Sequence, residues 1–268
     1  MNLSISNIAW NQIDDKKELE KIWGHGFSAI EITPSRIWEN FQDIDSVGRY
    51  KYLKHVQSFG LTICSMHSLF WMAKDMALFG TKREQKNLSE HFTALIHLAQ
   101  DLQIPRMIFG SPSVRKKGLL SNSDAYERAS EILFPVSELA YQCGTKILIE
   151  PLSPLETDFI SNHREGIELV KTVASKGFGL HLDAKAICSE NGPPDIAIDD
   201  SKNMMEHFHV NEGGLGSFRN AKLPHAVLAK KLKDIGYDGF ISIEMKQLEN
   251  SESEIEYALN FVKRVYGT

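Results

Sequence analysis

Four acidic or imidazole side chains stand at the ends of four short apolar runs. Glu150 follows Lys146-Ile-Leu-Ile, Asp183 follows Phe178-Gly-Leu-His-Leu, His209 lies in Glu206-His-Phe-His-Val, and Glu244 follows Phe240-Ile-Ser-Ile. Side chains of a strand alternate between two faces. One parity therefore gathers Ile147, Ile149, Phe178, Leu180, Leu182, Phe208, Val210, Ile241 and Ile243, and the other gathers Glu150, His181, Asp183, His207, His209, Ser242 and Glu244. A lone glutamate at a strand end is usually solvated or salt-bridged, but four strands closing their polar face with Glu, Asp, His and Glu point to one polar centre. Three carboxylates and an imidazole suit one divalent metal ion, with Mn2+, Mg2+ or Co2+ preferred and Zn2+ or Fe2+ admissible. Around such a cation their net charge is about −1, which leaves open positions for neutral hydroxyl or carbonyl oxygens of a substrate. The cation polarises a carbonyl and stabilises the enediolate formed when a neighbouring C–H proton leaves. Glu150 and Glu244 are the candidate catalytic proton carriers, because a carboxylate bound through one oxygen keeps the other free.

Bringing four distant groups to one place requires strands whose ends converge. Strand-like and helix-like segments alternate along the whole chain, the pattern of βα units on a parallel sheet. Strands are expected at 3–9, 28–33, 61–67, 105–110, 146–150, 178–183, 206–210 and 240–245, and helices at 14–25, 46–59, 82–103, 123–143, 162–175, 195–204, 222–235 and 252–265. Pro135 is a point where the fourth helix is expected to bend, and Asn162 with Glu165 marks a helix start. Eight pairs with no leftover segment predict an α/β protein, a single-domain (β/α)8 TIM barrel spanning 1–268. In that fold the active site lies at the C-terminal ends of the strands, where the four groups stand. A doubly wound open sheet would hold the ends of strands five and eight far apart.

Other residues occupy the same rim. His67 ends strand three in the register of Glu150, as a substrate-contacting or acid/base group or as a plain surface residue. Glu31 on strand two orients a substrate hydroxyl or a neighbouring histidine. His181 and His207 share the polar parity deeper in the barrel, where hydrogen-bonded core histidines are the simpler reading. Trp10, Phe70 and Trp71 follow strand ends, either as an apolar wall over a sugar ring or as packing under loops. The loop Gly213-Gly-Leu-Gly-Ser217 with Arg219 follows strand seven, a place where barrels bind phosphate with backbone N–H groups. Lys185, two residues beyond Asp183, is a second candidate for recognising charge.

The chain has 268 residues, 42% apolar and 24% charged, with net charge −5, enough to bury a sizeable core in one domain. No extended Lys/Arg run is present, which argues against nucleic acid as a partner. Cys64, Cys143 and Cys188 are odd in number and widely spaced, as expected of a protein kept in the reducing cytoplasm. The first residues enter an alternating strand rather than an export signal, and no apolar run has the length of a membrane span. A homo-oligomer is an open expectation, and a small-molecule carbohydrate is the partner implied by the family resemblance that follows.

Ile149-Glu150-Pro151, Leu180-His-Leu-Asp183, His207-Phe-His209-Val-Asn-Glu212 and Gly236-Tyr-Asp-Gly-Phe-Ile-Ser-Ile-Glu244, together with His67, resemble the motifs of the xylose-isomerase-like barrels. That superfamily includes sugar and sugar-phosphate isomerases and epimerases, inosose dehydratase and, more distantly, endonuclease IV. The resemblance runs essentially the full length. It implies Glu150, Asp183, His209 and Glu244 as metal ligands, the two glutamates as the acid/base pair, and Glu212, in the strand-seven motif, among the substrate-binding candidates with His67, Glu31, Lys185 and Arg219. Two departures matter. The 3-epimerases have a histidine three residues after the strand-six aspartate where this chain has Ala186, which weighs against 3-epimerisation of a free ketose. Endonuclease IV needs that histidine, another after strand four, where Phe109-Gly-Ser-Pro112 stands, and an Asp-x-His pair after strand seven that is missing here. The leading expectation is a divalent-metal-dependent sugar or sugar-phosphate isomerase or epimerase. The alternatives are a polyol-ketone dehydratase, an endonuclease IV-like hydrolase and a sugar-binding barrel without turnover.

Overall fold

Apolar side chains of one strand parity and polar side chains of the other need two different environments, and the fold supplies both. The computed structural model describes residues 1–71 and 73–267. Eight parallel strands, β1 (Asn2–Ser6), β2 (Ala29–Ile32), β3 (Thr62–Met66), β4 (Arg106–Phe109), β5 (Lys146–Ile149), β6 (Phe178–Asp183), β7 (Met205–Val210) and β8 (Phe240–Ile243), close in sequential order, β8 pairing with β1. Outside them lie α1 (Asp15–Gly24), α2 (Ser46–Ser58), α3 (Lys82–Asp101), α4 (Asn122–Gln142), α5 (His163–Val173), α6 (Ala184–Cys188), α7 (Pro194–Ser201), α8 (His225–Asp234) and α9 (Ser251–Tyr266). The expected (β/α)8 barrel is the observed one. No helix of the described residues is long and apolar enough to cross a membrane.

The outward parity, with Ile5, Ile30, Ile147, Ile149, Leu180, Leu182, Phe208, Val210, Ile241 and Ile243, belongs to the buried apolar layer under the helices. At about 25 cal/mol per Å2 removed from water, that layer holds the barrel closed. The inward parity is polar and also buried: Ser4, Ser6, Glu31, Ser65, His181, His207, His209 and Ser242 are each at most 1% exposed. Register sets His181 beside His207, and Asp183 beside His209 beside Ser242. A polar barrel interior is stable only where its groups bond one another.

Local signals place the helices. Thr81 and Glu84 form a reciprocal capping box on α3, and the Asn162 side chain accepts from Glu165 N at 3.1 Å at the start of α5. α4 runs unbroken through Pro135. The first strand ends earlier than its alternation suggests, because Asn7–Ala9 turn into a 3-10 helix. The short helix α6 has no counterpart in the sequence reading: Asp183 caps it, accepting from Ala186 N at 2.8 Å.

Candidate metal centre and active site

The strand ends bring Glu150, Asp183 and Glu244 to one mouth, and His209 stands among them. Its Nε2 donates to Glu31, 2.9 Å from Oε1 and 3.0 Å from Oε2. Glu31 is fully buried and also accepts from His207 Nε2 (3.1 Å), Ser65 Oγ (2.7 Å) and Ser242 Oγ (3.4 Å). One carboxylate thus gathers donors from three strands and fixes the tautomer of His209. The other nitrogen, Nδ1, has no hydrogen-bond partner among the described residues. It faces Glu244 Oε2 at 3.7 Å, Glu150 Oε1 at 3.9 Å and Asp183 Oδ2 at 4.0 Å.

Ligand atoms about 2.1 Å from one cation stand about 3.0 Å apart when adjacent and about 4.2 Å apart when opposite. The three separations at His209 Nδ1 lie in that interval, and Glu150, Asp183 and His209 offer ligand atoms all within 4.8 Å of one another; Glu244, 3.7 Å from the same nitrogen, adds a fourth donor of suitable type. Asn211 Nδ2 reaches into the same space, donating to Glu244 Oε2 at 3.1 Å and to Asp183 Oδ2. Its Oδ1 accepts from Lys185 N at 3.0 Å, which fixes the amide.

The electrostatics match a site built for positive charge. Burial, reinforced by the carboxylates of Asp183 and Glu244, pushes the Glu150 carboxyl up to about 8 despite the nearby imidazole of His209. Burial and then Glu244 raise Asp183 to about 6. Burial works the same way on Glu244, but the charge of His209 and the hydrogen bond from His67 outweigh it and lower that carboxyl to about 2. Burial opposes charging His209, yet Glu31 and Glu244 push its imidazole up to about 10. Without a cation, therefore, protons on His209 and Glu150 answer the field.

A cavity of about 300 Å3 opens above these groups, lined by Glu150, Asp183, Glu244, His67, Lys185 and Trp71 among others. His67 has its Nδ1 3.3 Å from Glu244 Oε1 and its Nε2 2.7 Å from Ser6 Oγ, so it braces Glu244 at the cavity edge. Lys185 reaches the rim but is bonded to Glu156 Oε1 at 3.0 Å. Trp71 lines the opening and is 69% exposed, whereas Trp10 is buried under a loop, with Nε1 donating to Asp15 at 3.0 Å.

Three candidates for substrate contact are placed elsewhere. Glu31 lies beneath His209, sealed from the cavity, and its work is to orient the imidazole. Glu212 turns outward and spends its Oε1 on His225 Nε2 (2.8 Å) and on Lys222 N and Leu223 N. Arg219 lies over α9, paired with Glu254 at 2.7 Å and stacked on Tyr257. The glycine loop therefore brings no cationic side chain to the mouth. His207 is the hydrogen-bonded core histidine expected. His181 is not, since both its ring nitrogens lack hydrogen-bond partners among the described residues, and its Nε2 is 3.7 Å from Glu150 Oε1.

The residues that sequence reasoning passed over are Asn211, Gly110 and Arg115. A Cβ on Gly110 would stand 2.2 Å from Glu150 Oε2, so the glycine at the end of β4 makes room for the carboxylate. Asn211 lay inside a motif already singled out, and a glycine closing a strand otherwise full of bulky side chains was a legible signal. Arg115 gave none.

Residues 19–265 match the model of the xylose isomerase-like TIM barrel family. The chain belongs to that family. Among curated proteins, this xylose isomerase-like barrel is similar to D-psicose 3-epimerase of Ruminiclostridium cellulolyticum, 25% identical over 243 residues that cover 88% of this chain and 80% of that protein. Among solved structures it resembles a D-psicose 3-epimerase determined in the presence of D-fructose, with a TM-score of 0.83, 17% identity and full coverage of both chains. It also resembles a family 2 AP endonuclease from Brucella melitensis, with a TM-score of 0.77, 18% identity and coverage of 95% and 97%. At such identities the structural likenesses establish the fold.

Replacing the brace under His209 tests the arrangement. Glu31→Gln is expected to weaken Mn2+ binding by about 10- to 100-fold, measured by titration calorimetry on chelator-stripped protein. Unchanged affinity would mean that His209 is oriented without Glu31.

Proposed function

We propose that this chain is a divalent-cation-dependent sugar epimerase or isomerase that moves a proton on the carbon beside a carbonyl. The observation that supports this most is the unpartnered Nδ1 of His209 facing Glu150, Asp183 and Glu244 at 3.7–4.0 Å inside a cavity. Those four residues would hold the cation, which when bound polarises a carbonyl or hydroxyl oxygen and stabilises negative charge developing there.

The protein's own groups would do the rest. Glu150 and Glu244 follow β5 and β8, and both line the cavity beside His209. Epimerisation takes a proton from one face of a carbon and returns one to the other, which two carboxylates can serve. A carboxylate bound through one oxygen keeps the other free, so Glu150 and Glu244 would each be able to take or return that proton. His67 fixes the orientation of Glu244, and Phe70, Trp71 and Leu152 limit water at the opening.

The lining also bears on the substrate. Lys185 is the one lysine or arginine among the described lining residues, and Glu156 neutralises it. An uncharged ketose fits such a wall better than a sugar phosphate. The name of the D-psicose 3-epimerase relative supports a ketose as well. Ala186 is buried with its N–H on Asp183, so the hydroxyl contacts fall to His67, Ser68, Ser111 and Lys185 rather than to a histidine at 186.

The test is incubation of Mn2+-loaded protein with a panel of ketoses in D2O. Deuterium on the carbon next to the carbonyl, with a new stereoisomer or an aldose in the NMR spectrum, is the expected result. Water loss in the mass spectrum would redirect the reading to dehydration. Equal exchange by metal-stripped protein would sink the cation's part in it.

A further inference from the structure

Arg115 has no exposure to solvent, and none of its nitrogens meets a carboxylate among the described residues. Its donors go to main-chain carbonyls instead: Nε to Gly110 O at 2.5 Å, one terminal nitrogen to Glu150 O at 2.8 Å, and the other to Phe159 O and to Ile160 O at 3.4 Å. A buried cation with no carboxylate in direct contact is costly, and burial lowers the guanidinium to about 10 although Glu150, Asp158, Glu156 and Glu165 favour its charge from farther off. An apolar side chain would fill the same volume without that cost, so packing alone does not account for the guanidinium.

The carbonyls it holds belong to the segments that shape one side of the site. Gly110 follows β4 and Glu150 follows β5, and the Glu150 carboxylate occupies the place a side chain at 110 would take. Two of the residues at these carbonyls are in unfavourable backbone conformations: Ser111, next to Gly110, has φ of 34°, and Ile160, whose own carbonyl Arg115 holds, has φ of 60°, in the left-handed region that a β-branched residue rarely adopts. A planar guanidinium with five donors in fixed directions can bridge such carbonyls at set distances, and a lysine ammonium on a flexible stem cannot.

We propose that Arg115 is a positioning residue for Glu150: by bonding the carbonyls of both Gly110 and Glu150, it sets the spacing between the ends of β4 and β5 and so places the Glu150 carboxylate. The proposal rests on the reading of Glu150 as cation ligand and proton carrier. Small displacements suffice, since a misplacement of about 1 Å at a reacting group costs about 100-fold in rate.

Arg115→Lys keeps the charge and removes the bridge. Chelator-stripped protein is titrated with Mn2+, free Mn2+ being read by electron paramagnetic resonance, and kcat and KM for ketose turnover are measured on the folded protein. The expected result is a fall in kcat of about 10- to 100-fold with KM within about threefold, and Mn2+ affinity weakened by about tenfold. Gly110→Ala, which pushes Glu150 from the other side of the same contact, is expected to give the same pattern, and the double variant less than the product of the two. A folded Arg115→Lys protein with a lower Tm but wild-type kcat and Mn2+ affinity overturns the proposal, as does a Gly110→Ala protein with both unchanged should the arginine variant not fold. A wild-type protein that binds no Mn2+ overturns the reading of the site itself, and the proposal with it.

Discussion

Glu150→Gln is expected to lower turnover by about 1,000-fold or more while leaving the Tm of the cation-free protein unchanged or higher. Proton transfer by a positioned side chain contributes about 100- to 10,000-fold, and glutamine can neither take nor give that proton. The fold should tolerate the change. Burial already pushes the Glu150 carboxyl up to about 8, so at pH 7 the cation-free protein holds it mostly neutral, and the amide is a near-isosteric neutral replacement. Isotope exchange in D2O and thermal melts on the same preparation check both halves. A variant that keeps a tenth of the wild-type rate would remove Glu150 from the reaction, and a variant that fails to fold would make its carboxylate structural.

The second large effect is loss of all measurable turnover after chelation, restored by Mn2+ or Co2+, with a pH dependence set by the same side chains. In the cation-free protein at pH 7 His209, raised to about 10, and Glu150, raised to about 8, hold protons that binding must displace. Affinity therefore rises with pH. About two protons leave per cation near pH 7, falling to about one above pH 8 as Glu150 ionises on its own, and below pH 6 Asp183, raised to about 6, adds another. Calorimetry in two buffers of different ionisation enthalpy counts those protons. A cation at about 100 times its Kd adds roughly 2.7 kcal/mol of stability, so chelation should lower Tm by roughly 5 to 10 °C for a chain of this size. Binding without proton release would contradict the geometry at His209.

The polar barrel interior explains why so few residues carry so much. Glu31 ties β2 to β3, β7 and β8 through Ser65, His207, His209 and Ser242, so the groups that orient His209 also satisfy the buried polar atoms between strands. Stability and site geometry share one network there, which is why Glu31→Gln is expected to move both cation affinity and Tm.

Legibility in the sequence followed the range of the interactions involved. Strand positions and facing were readable because the period of two is local: His209 and Asp183 had to share a face with His181 and His207, and closure of eight βα units had to bring their ends to one rim. The cap at Asn162 was readable for the same reason. What a rim side chain bonds to was not. Position left Glu31 open to a substrate hydroxyl or a neighbouring histidine, and histidines more than 170 residues away claim it; Glu212 and Arg219 looked like substrate contacts, yet Glu212 is bonded to His225 and Arg219 to Glu254. Nothing in the vicinity of Arg115 announces it, since the carbonyls it bonds lie at 110, 150, 159 and 160 and meet only once β4 and β5 are paired. The amino-acid sequence by itself determined the barrel and the four residues facing its mouth, because alternation and closure leave them nowhere else to point. Only the tertiary structure decided which of their neighbours brace them, because a hydrogen bond depends on distances of tenths of an ångström between segments far apart in the chain.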